Sequence, residues 1–258
     1  MKIRVLTALV ALAIALPLVY VGGIYLTLIM AILSIIAMAE IYMMKRRVLV
    51  SVDFVLAALA AVSLTVFDQN LPLDRYRLFL LLMVLLLGLT IIDSNRFNFE
   101  DVGVIAITSL YVGQGFHYFL QARASEKGLA LVGLLLVIIW ITDSGAYLVG
   151  RTFGKHPLYK PISPNKTIEG SIGGVIVAIL ASLLYTSLVP LNMSWIQVVI
   201  ISGLLSIVGQ IGDLVESAYK RFYQVKDSGT ILPGHGGILD RFDSLLFVLP
   251  VAYLIGLF

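Results

Sequence analysis

Near the end of the chain, "KDSGTILPGHGGILDRFDS" (226–244) gathers Asp227, Asp240 and Asp243 with Lys226, His235 and Arg241, punctuated by Gly229, Gly234, Gly236 and Gly237. Carboxylates are hard oxygen ligands, and Mg2+ characteristically takes one or two of them together with water and phosphate oxygens. Glycines let the backbone approach a ligand and offer bare N–H groups to anions. Lys220, Arg221, Lys226 and Arg241 supply charge for phosphate. The chain has no cysteine, and its three histidines lack zinc-ligand spacing, which argues against zinc. The ingredients are those of a metal and a phosphate-bearing substrate.

Just upstream, Gln210, Asp213, Glu216, Ser217 and Lys220 recur at intervals of three and four, one face of a helix. Ile211, Leu214, Val215 and Ala218 occupy the other face. In "IIWITDSGAYLVGR", Asp143, Tyr147 and Arg151 share a second helical face. Structural ion pairs, such as Asp143 with Arg151, are one reading of these residues. A ligand-lined cavity is the other, favoured because Lys220 alone does not neutralise the carboxylates that converge. "SPNKTIEG" resembles a helix start, with Thr167 as cap and N–H groups beyond it open to an anion. Glu40 reads as an interfacial residue, His117 as a core histidine, and Lys45–Arg46–Arg47 as an anchor near anionic headgroups.

The elements that carry these residues are apolar. Of 258 residues, 60% are hydrophobic and 13% charged, and the mean hydropathy is +1.01. A soluble domain is nearer 45–50% apolar and about 25% charged. The expectation is an all-α polytopic membrane protein, because lipid leaves no partner for exposed backbone groups. Stretches near the roughly 20 residues that cross a bilayer fall at 4–22, 24–43, 51–67, 77–92, 102–121, 129–149, 171–190, 194–221 and 242–258. The first resembles a signal peptide but is read as a span, since further spans follow without a soluble domain. Placing the N-terminus in the cytoplasm puts Lys2, Arg4, Lys45, Arg46, Arg47, Arg96, Arg151, Lys155, Lys160, Lys166, Lys220, Arg221, Lys226 and Arg241 inside. Only Arg75, Arg77, Arg123 and Lys127 remain outside. The polar cavity then opens to the cytoplasm. A net charge of +3 without a basic tail argues against nucleic acid.

The run Ser217–Ser244 resembles the signature of the phosphatidate cytidylyltransferases, or CDP-diglyceride synthases. Ser217, Lys220, Arg221, Lys226, Asp227, His235, Gly236, Gly237, Asp240, Arg241 and Asp243 occupy its fixed positions. Tyr219 stands where an aliphatic residue or Phe is usual. Upstream, "DSGAYLVGRTFGKH" and "SPNKTIEG" are also similar, with Asn165 where a second lysine is common.

The resemblance implies that CTP and phosphatidic acid give CDP-diacylglycerol and pyrophosphate, with Mg2+ and a second cation such as K+. It implies Asp213 and Asp240 as metal ligands, with Asp227 or Glu216 in support. Lys226 and Arg241 would hold the triphosphate, while Lys166 and Lys220 or Arg221 guide the lipid phosphate. His235 would donate to phosphate beside Gly236 and Gly237, Ser217 would lie at the substrate, and Asp143 would line the cavity or orient Lys166. Residues 1–100 are expected as scaffold or homodimer surface and 101–258 as the catalytic region, in a bacterial inner membrane. An ion-coupled transporter fits less well, because the charges cluster in one end of the chain and on one side. A CDP-alcohol phosphotransferase would require an Asp-Gly pair that is absent. A polyprenol kinase using CTP is a weaker match.

Overall fold

The computed structural model describes residues 2–66, 74–92 and 96–258, with side chains from Leu6 onward. Residue 67, the last of the third expected span, and the side chains of Lys2 and Arg4 lie outside that description. Among the described residues the chain forms nine α-helices: α1 (Lys2–Val21), α2 (Gly23–Met44), α3 (Val52–Val66), α4 (Arg75–Ile92), α5 (Phe99–Ala124), α6 (Gly128–Phe153), α7 (Ile168–Leu188), α8 (Trp195–Phe222) and α9 (Leu239–Leu254). Each coincides with one of the apolar runs. Five of them, α2, α4, α6, α7 and α8, are long and apolar enough to cross a membrane, as expected of an all-α integral membrane protein.

A short antiparallel hairpin, β1 (Pro157–Tyr159) with β2 (Ser163–Thr167), interrupts the α pattern. Its strands lie in a stretch expected to be loop. Helix starts follow local chemistry. Thr167 caps α7 by accepting from Gly170 N at 3.1 Å, as its sequence context predicts. Ser194 and Gln197 form a reciprocal capping box at α8.

The chain divides into two compact units. The first comprises residues up to Leu120 together with Val225–Arg241. Its core is built by α2, α3, α4 and α5, where Met38, Ala57, Ala60, Ala61, Leu64, Leu82, Leu86 and Ile105 are buried together. Small residues on α3 let its neighbours approach closely. Lys45 and Arg47, read as headgroup anchors, are instead engaged within the protein. Lys45 Nζ donates to Asp101 Oδ1 at 2.6 Å, Arg47 pairs with Asp101, and the Arg47 guanidinium lies 5.4 Å from the Phe97 ring centroid. His117 is part-buried, with Nδ1 3.2 Å from Thr65 O, in keeping with a core role.

The second unit comprises Gln121–Gln224 and Phe242–Phe258. Here α6 packs on α7 with almost no side chain between them: a Cβ on Gly174 would stand 2.8 Å from Thr142 O, and one on Gly170 2.7 Å from Ala146 O. Small residues at such spacing are how membrane helices gain van der Waals contact where lipid removes the hydrophobic driving force. Thr142 Oγ1 also donates to Ser206 Oγ on α8 at 2.7 Å. This packing brings the polar face of α8 beside the end of β2.

Candidate active site

The α8 stripe is the centre of the second unit's polar cluster. Asp213 is held at both carboxylate oxygens: Lys166, from β2, pairs with Oδ2, and Ser217 Oγ donates to Oδ1 at 3.3 Å. One turn along, Glu216 is buried and paired with Lys220. Gln210 Nε2 donates to Ser171 O at 3.3 Å. The exposed apolar side of the same helix carries Ile211 and Val215, matching the two faces read from the sequence.

Helix α9 adds Asp243. A Cβ on Gly212 would stand 2.6 Å from Phe247 Cβ and 3.0 Å from Asp243 O, so α8 and α9 nearly touch there. Asp243 consequently lies within electrostatic reach of Asp213, Asp143 and Lys220. Four carboxylates, Asp143, Asp213, Glu216 and Asp243, thus stand against the ammonium groups of Lys166 and Lys220. An acidic excess in a membrane-embedded unit attracts a cation. Among the described residues no three His, Asp or Glu side chains are gathered as a ready-made metal cage. Mg2+ does not need one, because phosphate oxygens and water complete its shell. The carboxylates are of the donor type that Mg2+ takes, and Asp213 and Glu216 are engaged here by Lys166, Ser217 and Lys220.

The first unit contains the glycine-rich loop. Asp240 Oδ2 accepts from Gly237 N at 2.8 Å, from Ser228 N at 2.8 Å, and lies 2.9 Å from Ser228 Oγ. This carboxylate therefore clasps the two ends of the loop. Gly236 has φ +82, a left-handed conformation suited to glycine, and a Cβ there would collide with Asp240. Residues 232–236 form a tight turn, His235 N donating to Leu232 O at 2.8 Å, and Arg241 Nε donates to His235 O at 3.1 Å. The Nδ1 atom of His235 is buried with no hydrogen-bond partner among the described residues. Lys226, Asp227 and Arg241 are exposed.

Lys166, Asp213, Glu216, Ser217 and Lys220 are brought together in the second unit, with Asp143 reaching them through Asp243. Arg221 is turned outward, Nε donating to Ile162 O at 3.3 Å. Asp240, His235, Gly236 and Gly237 are gathered in the loop of the first unit. Glu40 is the residue that sequence reasoning set aside. It is fully buried, and its carboxylate accepts from Ile238 N at 2.6 Å, Leu239 N at 2.9 Å and Ser228 Oγ at 2.9 Å. The available signal was a lone glutamate inside an apolar helix. His156, to which no role was assigned, pairs with Glu169 at 2.6 Å.

A family model described as the cytidylyltransferase family matches residues 2–258. The chain belongs to the cytidylyltransferase family. It is 42% identical over 259 residues to a phosphatidate cytidylyltransferase of Bacillus subtilis (strain 168), covering 98% of this chain and 96% of that protein. It is 42% identical to one of Staphylococcus haemolyticus, with 97% of each chain covered, and 41% identical to one of Staphylococcus aureus (strain COL), again with 97% of each covered.

Proposed function

We propose that this cytidylyltransferase joins CTP to phosphatidic acid, releasing pyrophosphate and CDP-diacylglycerol. The observation that carries the reading is the cluster around Asp213: carboxylates in excess on the helices of a membrane protein, with Lys220 of α8 and Lys166 of β2. A soluble nucleotide and a lipid phosphate both require charge at the membrane.

The lipid phosphate is already an anion at neutral pH, so an oxygen of it attacks the α-phosphorus of CTP without a strong base. A new P–O bond forms, the bond between the α- and β-phosphates breaks, and pyrophosphate leaves with the electron pair. The difficulty is electrostatic, as in other phosphoryl-type transfers. Bound Mg2+ would neutralise charge developing on the departing pyrophosphate. Asp213 and Asp240 are each candidates to hold it, with Asp227 or Glu216 in support and K+ as a second cation. Lys166 and Lys220 guide the lipid phosphate, Arg221 being turned outward onto Ile162 O. Lys226 and Arg241 hold the triphosphate, and the buried Nδ1 of His235 is available to a phosphate oxygen. Nine spans with the N-terminus and this chemistry on the cytoplasmic side of a bacterial inner membrane complete the proposal, with residues 1–100 as scaffold or dimer surface.

Pyrophosphate release by the purified protein tests it. Release should require CTP, phosphatidic acid and Mg2+ together, and cease with chelator. Release without phosphatidic acid, or none from folded protein, would sink the reading.

A further inference from the structure

Both oxygens of the Glu40 carboxylate are spent on the loop and the first turn of α9. Oε1 accepts from Ile238 N, while Oε2 accepts from Leu239 N and lies 2.9 Å from Ser228 Oγ. The first N–H groups of a helix have no partner within it, and Glu40 supplies one to two consecutive residues directly before Asp240. The Ser228 hydroxyl lies 2.9 Å from Glu40 Oε2 and 2.9 Å from Asp240 Oδ2. One hydrogen thus serves two carboxylates, which also interact electrostatically.

The surrounding glycines make room for this arrangement. A Cβ on Gly229 would stand 2.9 Å from Glu40 Oε1, and one on Gly237 would run into both Ser228 Oγ and Glu40. An ionisable residue in an apolar helix is costly, and here three donors, Ile238 N, Leu239 N and Ser228 Oγ, engage both of its oxygens. The same carboxylate stands one hydroxyl away from Asp240.

We propose that Glu40 is a positioning residue for Asp240: by fixing Ser228 and the first turn of α9, it orients the Asp240 carboxylate toward a cation-bound nucleotide. This rests on the Mg2+-dependent reading above. Partners that orient a ligand typically change metal affinity about 10- to 100-fold when removed.

The test uses the full-length protein in proteoliposomes, with Glu40→Gln and Ser228→Ala beside the wild type. Hydrogen exchange without substrate reports on the loop, and steady-state kinetics report on CTP, phosphatidic acid and Mg2+. Glu40→Gln should exchange the amides of Ile238 and Leu239 about tenfold faster, as expected when a local closing contact is lost. It should also raise the half-saturating Mg2+ concentration and the KM for CTP about tenfold, leaving the KM for phosphatidic acid within about twofold. Ser228→Ala should shift the Mg2+ requirement in the same direction while exchange at 238–239 stays slow. Faster exchange with an unchanged Mg2+ requirement would overturn the proposal and leave Glu40 as a fastener. If Glu40→Gln does not fold, Ser228→Ala decides, and an unaltered Mg2+ requirement there overturns it. A wild type that transfers cytidylyl groups without Mg2+ defeats the underlying reading first.

Discussion

Asp213 is engaged on one oxygen by Lys166 of β2 and on the other by Ser217, one turn along α8. Asp213→Asn preserves the shape and removes the charge. The expected result is a fall in kcat of about 10²–10³, roughly 2.7–4 kcal/mol of transition-state stabilisation, with folding intact. Steady-state assays check it, and kcat within threefold of wild type would remove Asp213 from the chemistry. Lys166→Met should raise the KM for phosphatidic acid about tenfold and change kcat less, since its role is in binding; an unchanged KM would move Lys166 to a purely structural partnership with Asp213. Each of these residues was legible by type and spacing. Their pairing was not, because 47 positions separate them and helical periodicity reports only on one helix at a time.

At the scale of elements, apolar runs located the nine helices well because burial and lipid exposure both select apolar residues over a helix-length stretch. The hairpin was not legible: strands of three and five residues containing Pro157 and Pro164 carry no alternating pattern. Glu40 was missed for a related reason, its loop partners lying 188 to 199 positions away. The glycines of α7 mark a contact that can be tested. Gly174→Leu forces bulk against Thr142 O and Ala146, and overpacking of this kind costs about 1–3 kcal/mol. Thermal unfolding in detergent should show a lower Tm for Gly174→Leu than for a lipid-facing control such as Ile172→Leu. Equal Tm values would mean that α6 and α7 do not depend on this approach.

For the whole molecule, the claim is that a greasy chain keeps its charges where a soluble nucleotide meets a lipid phosphate. The chain contains no cysteine, so single cysteines give a clean topology readout. Lys155→Cys should react with a membrane-impermeant thiol reagent only from the cytoplasmic side, and Lys127→Cys only from the opposite side; the reverse pattern would invert the proposed orientation. The most direct measurement follows the phosphates themselves. Purified protein in proteoliposomes is given phosphatidic acid, Mg2+ and CTP labelled at either the α- or the γ-phosphate. The expected result is α-label in the lipid and γ-label in released pyrophosphate, both lost on chelation and much reduced in Asp213→Asn. Label from the γ-phosphate entering the lipid, or α-label remaining wholly in water with folded protein, would contradict it.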